Sequence, residues 1–251
     1  MFPTVHITVS YLDQVASNLL VTGQLGRLQV QFMVDTGSMV TIVSLDTVHR
    51  TGLIDYLDQN VRMHINQEVN EYFPTILGQL RVPLVLGDYG QVIVQPLIAV
   101  MDYTPFNILG MDVLAHYGCI LNLPPLKPSL TFTQTSTTSS PPVSSVRLPC
   151  WLFTSSTGIT MTEAMIDTGC SITLLPLGLV TRLGMEHLVE PDDTTAVTIT
   201  GAATCEGVIR DVQLHIMDQI IVEDMLVFDK FNCILLGLPG IIKLGVSVKF
   251  T

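Results

Sequence analysis

Charge is scarce in this sequence, and positive charge is scarcer still. Only 13% of the 251 residues are charged, and 11 Lys and Arg stand against 22 Asp and Glu, giving a net charge of −11 at pH 7 and a pI near 4.7. A nucleic-acid surface needs clustered Lys and Arg to offset phosphate charge, so no nucleic-acid partner is expected. Long apolar runs are also missing. Mean hydropathy is high at +0.50, yet no run approaches the ~20 uninterrupted apolar residues of a membrane helix. The nearest candidate, Cys233 to Val248, is broken by Gly237, Pro239, Gly240, Lys243 and Gly245. The start of the chain, Met1-Phe-Pro-Thr-Val-His6, lacks the basic segment and apolar core of a signal peptide. These absences predict no membrane association and a cytoplasmic location. The five cysteines (Cys119, Cys150, Cys170, Cys205, Cys233) are odd in number and scattered, with no C-x-x-C and no Cys/His cluster. They read as reduced, mostly buried thiols, and neither a metal nor a cofactor is expected.

What the sequence does contain is a repeat. Phe32-Met-Val-Asp35-Thr36-Gly37-Ser38 is an apolar strand running into Asp-Thr-Gly, and 132 residues later Ala164-Met-Ile-Asp167-Thr168-Gly169-Cys170 has the same form. One Asp-Thr-Gly marks an ordinary strand-to-turn exit; two in matching context point to duplication. Without gaps, Asp35 to Leu53 lies over Asp167 to Met185. Thr41/Thr173, Val48/Val180, Arg50/Arg182 and Gly52/Gly184 are identical pairs, and most other pairs are apolar on apolar. A chain of this length has room for two lobes of about 110 residues, each able to bury a core. Two lobes related by a pseudo-twofold axis would bring Asp35 and Asp167 together. Carboxyls at hydrogen-bonding distance cannot both ionise readily, so they share a proton and titrate as a pair. One then activates water as a general base while the other, protonated, polarises a carbonyl.

At these residues the chain resembles the retropepsin-type aspartic proteases, with two such lobes fused in one polypeptide. The resemblance implies an all-β fold of two retropepsin-like barrel lobes with short helices. The lobes would span residues 1–123 and 147–251, with 124–146, rich in Ser, Thr and Pro, as an exposed linker. It also implies that Asp35 and Asp167 are the catalytic pair and that Thr36 and Thr168 form a hydroxyl–backbone lattice across the lobes. Gly37 and Gly169 would let backbone approach the substrate. The next position differs between the lobes. Ser38 has a hydroxyl to offer Asp35, whereas Cys170 is a poorer donor; alternatively both are simply small residues that fit. Ile108-Leu109-Gly110 and Ile234-Leu235-Leu236-Gly237 match the segment that threads behind the catalytic loop. The Arg and acid that pair in many retroviral relatives are absent: Met111 and Leu238, Met39 and Ser171 stand there. Leu238-Pro239-Gly240 puts the second lobe's closing helix in question, whereas Asp112 to Tyr117 is expected to be helical in the first.

Local signals fill in the rest. Two apolar runs around Gly23 to Gly26 read as a hairpin delivering Asp35. Ser44 is placed to cap a short helix ending at Gly52. A hairpin around 155–158 should deliver Asp167. Flaps are expected from a long hairpin over Met63 to Leu86, and from Thr195 to Ile209 with a small-residue tip at Gly201, Ala202 and Ala203. Tyr72 falls opposite Gly201 and reads either as an aromatic reaching over the cleft or as an ordinary surface residue.

The function expected is that of an aspartic endopeptidase holding an extended peptide like an added strand, as a monomer whose lobes pair within the chain. Two rivals remain at this point: a weakly active or inactive peptide-binding module derived from a protease, and the protease segment of a retroelement polyprotein.

Overall fold

The computed structural model describes residues 4–8, 10–11, 18–60, 75–87, 92–123, 128–133, 145–154, 158–198, 201–229, 231–245 and 247–249. Each lobe is built from the same strand pairings. In the first, Leu19–Leu25 and Leu28–Val34 form a hairpin in register Leu25↔Leu28, turned at Gly26, whose φ of 58° lies in the left-handed region that glycine adopts without strain. Asn107–Leu109 then runs parallel to Leu28–Val34 (Ile108↔Met33) and antiparallel to Ile42–Ser44 (Ile108↔Ile42). In the second lobe, Arg147–Thr154 and Gly158–Ile166 form the hairpin. Ile234–Leu236 lies parallel to Gly158–Ile166 (Leu235↔Met165) and antiparallel to Leu174–Pro176 (Leu235↔Leu174). The second-lobe strands close into a six-stranded barrel, while the first-lobe strands form a nine-stranded open sheet. The all-β, two-lobed architecture expected from the sequence is the one observed.

Short helices follow the central strands. Leu45–Thr51 is capped at Ser44, whose Oγ accepts the Thr47 N–H at 3.1 Å, and ends at Gly52 in the left-handed region (φ 72°). Its counterpart is Leu177–Arg182. In the first lobe Met111–Leu114 is helical, a shorter element than expected. In the second, Leu238–Leu244 is a full helix, so Pro239 does not disrupt it. Proline in a first helical turn lacks only an N–H that would have no helical partner anyway.

One expectation needs correction. The segment 124–146 is not exposed throughout, because Ser129–Thr133 is a strand with Leu130 and Phe132 fully buried. It pairs with Thr4–Thr8 and Cys119–Asn122, and Cys119–Asn122 pairs in turn with Ser247–Lys249, forming a four-stranded sheet that draws on both lobes. A short apolar alternation inside a Ser/Thr-rich tract is enough for a strand when neighbours supply the other face. Of the hairpin expected over Met63 to Leu86, residues 63–74 lie outside the described residues. Ile76–Leu80 pairs with Ile98–Met101, whereas Leu84–Leu86 pairs with Leu19–Leu25 and Val92–Val94.

One buried apolar cluster runs from Leu19 and Phe32 through Leu109, Met111 and Phe132 to Cys150, Ile241 and Val248, so the lobes share a continuous core. Among the described residues, no helix is long and apolar enough to cross a membrane.

Candidate active site

Both Asp-Thr-Gly segments leave their strands at the lobe junction, where a lattice of hydrogen bonds locks them together. Thr36 Oγ1 donates to Ile166 O at 2.8 Å, and Thr168 Oγ1 donates to Val34 O at 2.7 Å. Each hydroxyl also accepts the other threonine's N–H at 3.1 Å. All four bonds cross between the lobes, and both threonines are fully buried. The glycines interlock in the same way. A Cβ on Gly37 would lie 2.7 Å from Asp167 Cγ, and one on Gly169 would lie 2.5 Å from Asp35 Cγ. Each carboxyl is therefore seated against the other lobe's glycine.

The carboxyls share a hydrogen bond and are electrostatically unequal. Burial pushes the pKa of Asp35 up, opposed by hydrogen bonds from the Gly37 N–H, from Asp167 and from the Ser38 N–H. Burial pushes Asp167 well up, and the charge of Asp35 and the shared hydrogen bond raise it further. The backbone hydrogen bonds differ in the same sense. Asp35 Oδ1 accepts two backbone N–H groups, from Gly37 at 2.8 Å and Ser38 at 3.1 Å. Asp167 Oδ1 accepts that of Gly169 at 3.0 Å, while the Cys170 N–H bonds the backbone oxygen of Asp167 at 3.2 Å. Donors aimed at an ionised carboxylate stabilise it, so Asp35 is the better anion and Asp167 the better holder of the proton.

The side chains after the glycines serve neither carboxyl. Ser38 Oγ donates to Val40 O at 2.9 Å, and Cys170 Sγ donates to Ile172 O at 2.9 Å. The expectation that the Ser38 hydroxyl bonds Asp35 is corrected: its backbone N–H does so instead. Burial, with the charge of Asp167, pushes the Cys170 thiol up, so it stays protonated. Met111 and Leu238 are buried apolar side chains whose N–H groups bond Ser38 O and Cys170 O, each at 2.8 Å.

Gly201, Ala202 and Ala203 sit in the return arm of a hairpin, not at its tip. Gly201–Thr204 pairs with Thr195–Thr198, and Gly201 faces Thr198. Tyr72 lies outside the described residues. Sequence reasoning missed Asn18, whose Nδ2 donates to Met33 Sδ at 3.1 Å and, across the lobes, to Gly169 O at 3.4 Å. A lone asparagine ahead of a strand carries no sequence signal for such a contact. Among the described residues, no three His, Cys, Asp or Glu side chains cluster as a metal site would require.

No protein-family model matches the sequence, and no curated protein matches it. Among solved structures, the aspartic proteinase from Irpex lacteus aligns over 96% of this chain and 92% of its own, with a TM-score of 0.54 and 14% sequence identity. The fold is that of the two-lobed aspartic proteinases. At that identity the likeness is one of fold. The retroviral protease-like domain of Ddi1 from Leishmania major overlaps 39% of this chain and 75% of its own, at 22% identity and a TM-score of 0.33, too slight a match to add to this.

Proposed function

We propose that the chain is an aspartic-type endopeptidase with Asp35 and Asp167 as its catalytic pair. The observation that carries this reading is the reciprocal seating of each carboxyl against the other lobe's glycine, which puts the two acids side by side at the lobe junction. In this mechanism Asp35, held as the anion by two N–H donors, takes a proton from water. The resulting hydroxide adds to the peptide carbonyl carbon while Asp167 gives its proton to the carbonyl oxygen. The tetrahedral intermediate collapses as the amide nitrogen is protonated by Asp35 and the C–N bond breaks. Asp167 recovers a proton from the diol, and the pair is reset. No covalent enzyme intermediate forms.

The substrate is a peptide in extended conformation, bonded by its backbone like an added strand. Because both half-sites lie in one chain, the active species is a monomer. Asp35→Asn and Asp167→Asn are each expected to abolish cleavage of a peptide library while thermal unfolding stays cooperative. A statine-type peptide is expected to inhibit the unaltered protein. Substantial cleavage by either variant overturns the paired mechanism.

A further inference from the structure

Two carboxylates outside the catalytic pair, Glu223 buried and Asp112 half-buried, hold equivalent places in the lobes but come from non-equivalent positions in the chain. Thr41 and Thr173, fully or almost fully buried, are the same residue of the repeat. Each hydroxyl accepts the N–H of the glycine that threads behind the catalytic loop, Gly110 or Gly237, at 3.3 Å. Each then donates to an acid: Thr41 to Asp112 Oδ1 at 2.7 Å, and Thr173 to Glu223 Oε2 at 2.6 Å. Asp112 lies two residues after Gly110, in the short helix Met111–Leu114. Glu223 lies in the strand Gln219–Phe228, far from that motif.

The exchange is reciprocal. Two residues after Gly237 the second lobe has Pro239. The strands beside Ile42 and Leu174 align Ala99 with Leu226, so the first lobe has Pro96 where the second has Glu223. Each lobe thus carries proline where its twin carries the acid. The surroundings follow suit. A Cβ on Gly240 would lie 2.9 Å from Glu223 Oε2, whereas Val113 occupies the matching place in the first lobe. Glu223 Oε1 pairs with Lys243 Nζ at 3.1 Å. Asp112 Oδ2 is buried without a hydrogen-bond partner among the described residues.

These clamps lie one bond from the catalytic loops. Gly110 and Gly237 pack against the backbone oxygens of Ser38 and Val40, and of Cys170 and Ile172. Next in the chain, the Met111 N–H bonds Ser38 O, and the Ser38 N–H bonds Asp35 Oδ1 at 3.1 Å. The Leu238 N–H bonds Cys170 O in the same way.

We propose that Glu223, supported by Lys243 and admitted by Gly240, is the second lobe's positioning residue, replacing the role that Asp112 plays in the first: through Thr173 it fixes the glycine crossing that sets the Asp167 loop. The inference rests on Asp35 and Asp167 being the catalytic pair. A clamp of this kind acts on catalytic geometry more than on substrate contact, because small displacements of a reacting group lower the rate steeply.

The test uses Glu223→Ala, Glu223→Gln and the transplant Glu223→Ala/Pro239→Asp in the full chain. Glu223→Ala should lower kcat by roughly ten- to a hundredfold with KM changed little, and should speed amide exchange at Gly237 but not at Gly110. Glu223→Gln keeps an oxygen for the Thr173 hydroxyl and should retain more of kcat than the alanine variant. The transplant should restore both kcat and Gly237 protection. Unchanged kcat and exchange in Glu223→Ala overturn the proposal, as does a transplant that regains thermal stability but neither kcat nor protection. If the unaltered protein cleaves no peptide, the endopeptidase reading fails by itself, and the exchange at Gly237, with its rescue, still decides whether the clamp exists. If Glu223→Ala does not fold, Glu223→Met, which fills the same space without an oxygen for the Thr173 hydroxyl, provides the same comparison, and exchange at Gly237 equal to that of the unaltered chain overturns the clamp.

Discussion

Gly169 lies flush against Asp35: a Cβ there would stand 2.5 Å from Cγ and 2.7 Å from both carboxyl oxygens, and Gly37 is related to Asp167 in the same way. No rotamer change relieves such a contact, because the carboxyl is held by backbone donors on its own loop. Gly169→Ala and Gly37→Ala are therefore expected to lower kcat/KM by about a hundredfold or more while leaving the barrel strands paired, as read by circular dichroism. Gly178 is the control. It lies in a short helix with nothing within 4 Å of a built Cβ, so Gly178→Ala should stabilise by about 0.5–1 kcal/mol in urea unfolding.

The threonine lattice should register in stability. Thr36→Val removes the donor to Ile166 O and the acceptor for the Thr168 N–H, stranding two buried backbone groups. Each orphaned group costs about 1–3 kcal/mol, so a loss on the order of 3 kcal/mol is expected. Thr36→Ser keeps both bonds and should lose far less. Equal losses would show that packing of the methyl group dominates.

The Asp35–Asp167 pair should leave its mark on the pH dependence of stability. The folded pKa of Asp167 lies well above its ordinary value, so the folded state binds the proton more tightly than the unfolded chain does. The resulting stabilisation is complete below the unfolded value of about 4 and is lost as pH rises through the folded pKa. Asp167→Asn removes that loss. Between pH 4 and pH 7 the melting temperature of the variant should fall less than that of the unaltered protein. A steeper fall would reverse the sign argued here.

Phe132 tests the sheet that draws on both lobes. It is fully buried and pairs with Val5 on one side and Cys119 on the other. Phe132→Ala should therefore destabilise by about 3–5 kcal/mol, in a tract whose composition reads as surface. Specific activity should also be independent of dilution, since an intramolecular lobe pair has no dissociation constant to cross. A loss at low concentration, with a dimer in sedimentation, would place the partner lobe on another chain.

By itself, the sequence determined what is local or repeated. The paired Asp-Thr-Gly segments, the hairpins leading into them, the Ser44 cap and the Gly52 stop all follow from signals spanning fewer than ten residues or from superposing the repeat. Those signals depend on backbone preference and strand period, which every residue expresses on its own. What only the tertiary structure decided was which distant groups meet. The bond between Thr173 and Glu223 spans 50 residues, and that between Thr41 and Asp112 spans 71. Nothing in either segment distinguishes these acids from solvated ones. The Ser38 hydroxyl could have served Asp35, but it turns to Val40 O, and the Ser38 backbone N–H bonds Asp35 Oδ1 instead. Ser129–Thr133 reads as linker by composition and becomes a strand because Thr4–Thr8 and Cys119–Asn122 offer unpaired edges on either side. A backbone hydrogen bond needs a partner in the right place, and only the folded chain supplies that place.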